Sequence, residues 1–307
     1  MECKNKDLNT NNTNGQIAQR IEDYLSFIRD IRIFVKFVFP RFYNLSCIKS
    51  CILFIIFSLF FLLTPLKSEQ NPQKSPDLPF TEGEDLIYEI SWFGIPAGTG
   101  RLHISERTVK EGREVFHIDY SAVSSDFLSS FYRVEDRAET FMDADGLFPW
   151  SFKLKVREGR TKRDVETIFD QIGHKAVFKK DGDKPVEVSI PAAVQDAFSS
   201  LYYLRTKNLI VGEKVIIDVF EDKKNWEVEV NILKKERIKI YSGEADTILV
   251  KPLLKYEGIF QRKGDVYIWL TDDEKKIPVQ VRTKVIIGSI YAKIVSMNGV
   301  KVITSVK

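Results

Sequence analysis

Between Leu86 and Met297 the chain alternates apolar and polar side chains in short runs that stop at turn residues, and no other property constrains its fold as strongly. Leu86, Tyr88, Ile90 and Trp92 fall on one face of a strand, and Gly94-Ile95-Pro96-Ala97-Gly98 supplies a turn. Gly100, Leu102 and Ile104 resume the pattern, Lys110-Glu111-Gly112 turns again, and Phe116, Ile118 and Tyr120 follow. A strand from Arg133 to Phe141 leads to Asp143-Ala144-Asp145-Gly146, after which Trp150, Phe152, Leu154 and Val156 alternate. Glu158-Gly159 and Asp181-Gly182 are hairpin signals, and strand-like runs recur at 215–221, 226–233, 245–251, 266–271, 279–286 and 290–297. A period of two puts successive side chains on opposite faces of a pleated strand. About a dozen such runs without βαβ alternation predict an all-β fold, a single antiparallel β-barrel or a half-barrel made of one curved sheet.

One segment departs from this pattern. After Pro191, residues Val194, Ala197, Phe198, Leu201, Tyr202 and Arg205 recur at helical spacing, which predicts a helix over about 193–205. Lying between two sets of strands, it is expected to pack on the open face or end of the sheet.

The N-terminal part is of a different kind. Residues 51–63 read CILFIIFSLFFLL, with Ser58 the sole polar side chain. A membrane-spanning helix needs about 20 apolar residues, and a signal-peptide core roughly 7–15. The run therefore predicts an N-terminal hydrophobic helix that serves as a signal peptide or as an uncleaved anchor. Residues 1–68 form this leader, 69–79 (EQNPQKSPDLP) a polar linker, and 80–307 the β-rich domain. The leader holds nine Lys and Arg against five Asp and Glu, and all three cysteines: Cys3, Cys47 and Cys51. The rest is nearly neutral and lacks cysteine, which excludes disulfide scaffolds, thiol nucleophiles and Cys-ligated metal there. A whole-chain charge of +3 gives no basis for nucleic acid as a partner.

Four ordered blocks carry a family resemblance: GEDLIYEISWFGIPAG at 83–98, YRVEDRAET at 132–140, QDAFSSLYYLR at 195–205 and WLTDDEKKIPVQV at 269–281, with GSIYAKI at 288–294. Over roughly residues 80–300 the chain resembles the bacterial family catalogued as domain of unknown function 3108. The resemblance implies a leader followed by a β-rich envelope domain and implies no activity. The long leader departs from it.

Residues that could carry chemistry are few. His103, His117 and His174 show no metal-ligand spacing, and there is no Gly-x-Ser-x-Gly. Asp272-Asp273 reads as a hairpin turn, with calcium ligation as the sharper alternative. No metal and no cofactor are expected. Along 133–139, Arg133, Glu135, Arg137 and Glu139 share one strand face, while Val134, Asp136 and Ala138 share the other. An inward Asp136 needs a partner, because an unpaired buried carboxylate is costly, and Arg205 on the helix is the expected one.

The aromatic supply points elsewhere. Tyr88, Trp92, Phe116, Tyr120, Trp150, Phe152, Phe198, Tyr202 and Trp269 lie on strand or helix faces and are expected to line an apolar cavity between sheet and helix, unless they are ordinary core. The leading expectation is a non-catalytic envelope protein. It would be exported to the periplasm of a Gram-negative-type bacterium, either soluble after cleavage or anchored to the inner membrane. It would bind a lipid, a lipoprotein or another envelope component. A hydrolase-type enzyme and a scaffold that binds proteins through a sheet edge are the alternatives.

Overall fold

The computed structural model describes residues 78–301 apart from 242, 257–258, 262–264 and 285–287. The apolar run at 51–63 and most of the linker lie outside the described residues. Among the described residues no helix is long and apolar enough to cross a membrane.

Among the described residues seventeen antiparallel strands make one sheet. They are β1 (Asp85–Trp92), β2 (Ile95–Ile104), β3 (Thr108–Lys110), β4 (Arg113–Ser124), β5 (Glu135–Asp143), β6 (Pro149–Glu158), β7 (Thr161–Asp170), β8 (Lys175–Lys180) and β9 (Val186–Ser189) in the first half. The second half holds β10 (Lys214–Glu221), β11 (Lys224–Ile240), β12 (Gly243–Tyr256), β13 (Ile259–Gln261), β14 (Val266–Thr271), β15 (Pro278–Lys284), β16 (Ser289–Met297) and β17 (Val300–Lys301). Among the described residues two short helices interrupt them, α1 (Asp126–Ser129) and α2 (Ser199–Arg205).

The long strands follow the spatial order β9-β8-β7-β6-β5-β4-β2-β1-β16-β15-β14-β12-β11-β10. Short β3, β13 and β17 pair with β4, β12 and β16. Two meanders of sequential hairpins are thus joined side by side through β1 and β16, where Leu86 pairs with Met297 and Trp92 with Ile290.

The sheet curls strongly. Phe116 and Ile118 of β4 share one core cluster with Trp269 of β14 and Leu249 of β12, although four and five strands respectively separate them along the sheet. Register shifts at Ile90/Ser91, Phe141/Met142 and Ile232/Lys234 mark bulges, which bend a strand and increase its twist. The sheet stays open, because β9 and β10 are not paired with each other among the described residues. Residues 190–198 fill the seam between them. Gln195 runs parallel to β10, its amide donating to Asp218 O and its carbonyl accepting from Phe220 N. On the β9 side, the Gln171 side chain donates to Pro149 O and Val194 O. Phe169 of β7 meets Phe220 of β10 edge-on at 5.9 Å, so the interior is continuous across the seam.

The helix is shorter than its periodicity predicts. Ala193 takes a φ of 53°, and Gln195 is extended along β10. Asp196 Oδ1 then accepts from the amides of Phe198 and Ser199, satisfying donors that a helix start leaves open. The helix itself begins only at Ser199, with Phe198 ahead of it as the N-cap. The proposed turn at 94–98 also shrinks. Phe93-Gly94 alone makes it, and Ile95 already pairs with Trp92. Gly98 lies inside β2, where a Cβ would collide with Val123 O, so close approach of β4 is what requires glycine there.

Candidate functional site

Inside the curl, next to the β1–β2 turn, lies a cavity of about 190 Å³. Its walls are almost wholly apolar: Tyr88 and Ile90 of β1, Leu102 of β2, Tyr120 of β4, and Ile290 with Ala292 of β16. Phe198 and Leu201 close it from the seam and from α2, and Pro278, Val281 and Thr283 of β15 complete it. Few polar atoms face it. The Tyr88 hydroxyl donates to Pro278 O at 2.7 Å and is thereby occupied, and burial pushes its pKa up. Tyr120 packs on Phe198 with ring centroids 4.7 Å apart, and burial raises its pKa as well.

Gly100 is what makes the room. It stands in mid-strand, its partners being Tyr88 on β1 and Ala122 on β4. Its φ lies outside the left-handed range, and a Cβ there would find Ile90 and Tyr88 at an ordinary 3.6–3.9 Å. Neither conformation nor close approach requires glycine at this point. A glycine in a strand interior weakens it and leaves open the space that a side chain would fill.

The aromatic residues singled out from the sequence separate into two groups. Tyr88, Tyr120 and Phe198 stand on the cavity wall. Phe152 lies behind Phe198 at 6.4 Å, in the adjoining cluster. Phe116 and Tyr202 both pack against Phe80, at 5.4 and 5.0 Å. Trp269 is in the main core with its Nε1 donating to Glu236, and Trp92 belongs to a separate small cluster with Leu128, Tyr132 and Ile290. Trp150 is half-buried, donates to Asp143 and lies under the Arg113 guanidinium. The other nine wall residues, Gly100 among them, were not singled out. The mid-strand glycine was the readable signal among them.

The expected Asp136–Arg205 pair does not form. Arg205, 0% exposed, makes a two-pronged bond to Glu84, at 2.6 and 2.8 Å, and also donates to Pro79 O and Lys275 O. Phe80 and Tyr202 flank the guanidinium. Asp136 does point inward, as its parity requires, but it accepts from the Arg157 amide at 2.8 Å and lies beside Glu158. Burial raises the Asp136 pKa against those favourable contacts. The reason is topological: α2 turns its Arg205 end toward the segment ahead of β1 and away from β5.

No histidine lines the cavity. His103 Nδ1 contacts Glu84 O. His117 stacks on Phe141 and lies 3.2 Å from Asp119, and with Glu139 these make a compact potential metal-ligand group on the outer face. The charged strand face at 133–139 is wet, and its pairs run along the strand: Glu135 bonds Arg133 and Arg137. Asp273 Oδ1 accepts from the Lys275 and Lys276 amides, which makes 272–276 a hydrogen-bonded turn.

The sequence pattern of the family described as "Protein of unknown function (DUF3108)" matches residues 87–295. No curated protein matches the chain. Among solved structures, a β-barrel-like protein of the domain of unknown function DUF1849 from Brucella abortus is similar at 14% identity and a TM-score of 0.49, over 70% of this chain and 96% of that one. A protein from Parabacteroides distasonis provisionally described as a lipoprotein matches at 12% identity and a TM-score of 0.34, over 72% and 97%. A protein from Bacteroides fragilis provisionally described as exported, with a YmcC-like fold, gives 10% and 0.33 over the same shares.

Proposed function

This chain belongs to the DUF3108 family, and from that premise we propose a non-catalytic envelope protein that holds the apolar part of an amphiphile inside its curled sheet. The observation that carries the reading is the cavity beside Gly100, with almost no polar lining and a glycine that neither backbone nor sterics demands. Its size limits the occupant. An engineered apolar cavity of about 150 Å³ stays dry and takes up benzene, and drug-sized ligands need roughly 300–1,000 Å³. At about 190 Å³, this one fits one ring or one end of an alkyl chain, and the polar remainder of the ligand must stay outside. The leader's apolar run supports the exported location in this reading, with the periplasm as the compartment and the inner membrane as neighbour.

Native mass spectrometry of the chain purified from a cell envelope tests the proposal. We expect a co-purifying lipid or fatty acid with wild type, and its loss in Gly100→Leu, whose side chain fills the space. Retention of the adduct by a folded Gly100→Leu protein, or absence of any adduct from wild type, would defeat the reading. A hydrolase is less well supported because neither His103 nor His117 borders the cavity.

A further inference from the structure

One stretch at one end of the curled sheet is almost free of charge. At the end carrying the β1–β2 turn, residues 90–100 hold no charged side chain, and residues 120–132 hold Asp126 alone. The chain as a whole is 29% charged. Instead, large apolar groups stand in solvent there: Phe93 is 60% exposed, Ile95 47%, Val123 48%, Phe127 58% and Phe131 64%.

They form one rim. Phe93 packs on Trp92 at 4.8 Å, and Phe127 meets Phe131 edge-on at 5.7 Å. Beneath them Trp92, Leu128, Tyr132 and Ile290 make a single cluster, and the Ser125 amide ties α1 to β2 by donating to Ala97 O. The opposite end, at the β3–β4 turn, carries Glu106, Arg107, Lys110, Glu111, Arg113 and Glu114. Exposed apolar patches of this kind mark interaction surfaces, and soluble domains otherwise keep them small.

We propose that this rim docks on the surface of a lipid bilayer, inserting Phe93, Phe127 and Phe131 among the headgroups and upper acyl chains. A protein partner of ordinary polarity would be met by complementary charge inside the patch, and there Asp126 is the sole charged residue, with Arg133 and Glu135 at its border. The leader supplies the second argument. Its apolar run ends at Leu63, and sixteen residues then precede Phe80. Extended, they reach roughly 50 Å. Strand β1 is about 26 Å long, so a chain tethered ahead of Phe80 can still turn its far end to the same membrane. The tether makes that encounter intramolecular and removes the need for strong binding by the rim itself. Ile90 and Ile290 belong both to the cavity wall and to the cluster or its packing shell beneath the rim, so docking would set the cavity against the lipid that fills it. This proposal rests on the membrane-directed leader and envelope location proposed above.

Photocrosslinking of the full chain, reconstituted in vesicles of phosphatidylethanolamine and phosphatidylglycerol, tests it. p-Benzoylphenylalanine is placed at Phe93 or Phe127, and at Val109 as an equally exposed control at the charged end. We expect lipid adducts at Phe93 and Phe127, none above background at Val109, and loss of the Phe127 adduct when Phe93→Asp and Phe131→Asp are added. Equal labelling at Val109, no lipid adduct at Phe127, or crosslinks to a second copy or another protein would overturn it. The two readings fail separately. Lipid labelling at the rim of a protein whose cavity stays empty removes only the cavity reading. A filled cavity with protein crosslinks at the rim removes only this one.

Discussion

The interior has two ends built from the same strands, and they are finished in opposite ways. At the foot of β1 the space between the walls is plugged: Phe80, Tyr202 and Arg205 fill it, and Glu84 neutralises the guanidinium with two hydrogen bonds. One turn of α2 away, Leu201 and Phe198 face a hollow floored by Gly100. Tyr88 belongs to both, its ring on the cavity wall and its burial part of the main core. A domain concerned only with stability would fill both ends. In the proposed reading the first end fastens the fold and the second is the one that is occupied.

That assignment can be broken at several strengths. Glu84→Ala leaves the fully buried Arg205 charge without its carboxylate, and losing one partner of a buried pair costs about 3–5 kcal/mol. Urea unfolding should show a large drop in midpoint at unchanged slope, and a small drop would mean the plug is not the fastening.

Asp196 offers an intermediate effect with a sign. Burial raises its pKa from 3.8 to about 6, against hydrogen bonds from the Ser199 and Phe198 amides and from Thr140. The folded state therefore holds this proton more tightly than the unfolded one. Protonation favours folding, so the destabilisation from the buried charge is absent below about pH 4, grows as pH rises to about 6 and is constant above that. Asp196→Asn should gain stability over wild type across this window, by on the order of 2–3 kcal/mol at its upper end. A pH-independent difference between the two unfolding free energies would show that the carboxyl is already charged throughout.

The smallest change falls on the hollow. Gly100→Ala adds a methyl that meets only ordinary contacts, so it should stabilise by about 0.4–1 kcal/mol through the unfolded chain. It should also weaken binding of a fluorescent alkyl probe. Opposite movement of stability and binding is what a site predicts. A glycine retained for packing would lose both.

Much of this could be read from side-chain parity. The alternation at 86–92 and 150–156 gave strands with the correct inward faces, and it put Asp136 inside. Parity cannot say what lies across the interior, which depends on which strands the curl brings face to face. Arg205 and Glu84 are 121 residues apart in sequence, and only the order β2-β1-β16-β15 brings α2 over the start of β1. The same limit hid the cavity wall, assembled from β1, β2, β4, β15, β16 and α2. Strand β11 was underestimated for another reason. Its second half reads KKERIKI, too charged to look like core, yet Ile238 and Ile240 pack against the main cluster beyond a bulge at Ile232/Lys234.

The pairing of β1 with β16 has a consequence for how the molecule comes into being. Ile87 lies opposite Ser296, so the central seam of the sheet joins the two extremes of the described chain. Each meander can zip up through local hairpins, but their union must close a loop of about two hundred residues, and such distant contacts form late and slowly. A chain delivered N-terminus first holds β1 with one edge bare until its last strands arrive. The cavity, shared between the two meanders, cannot exist before that moment.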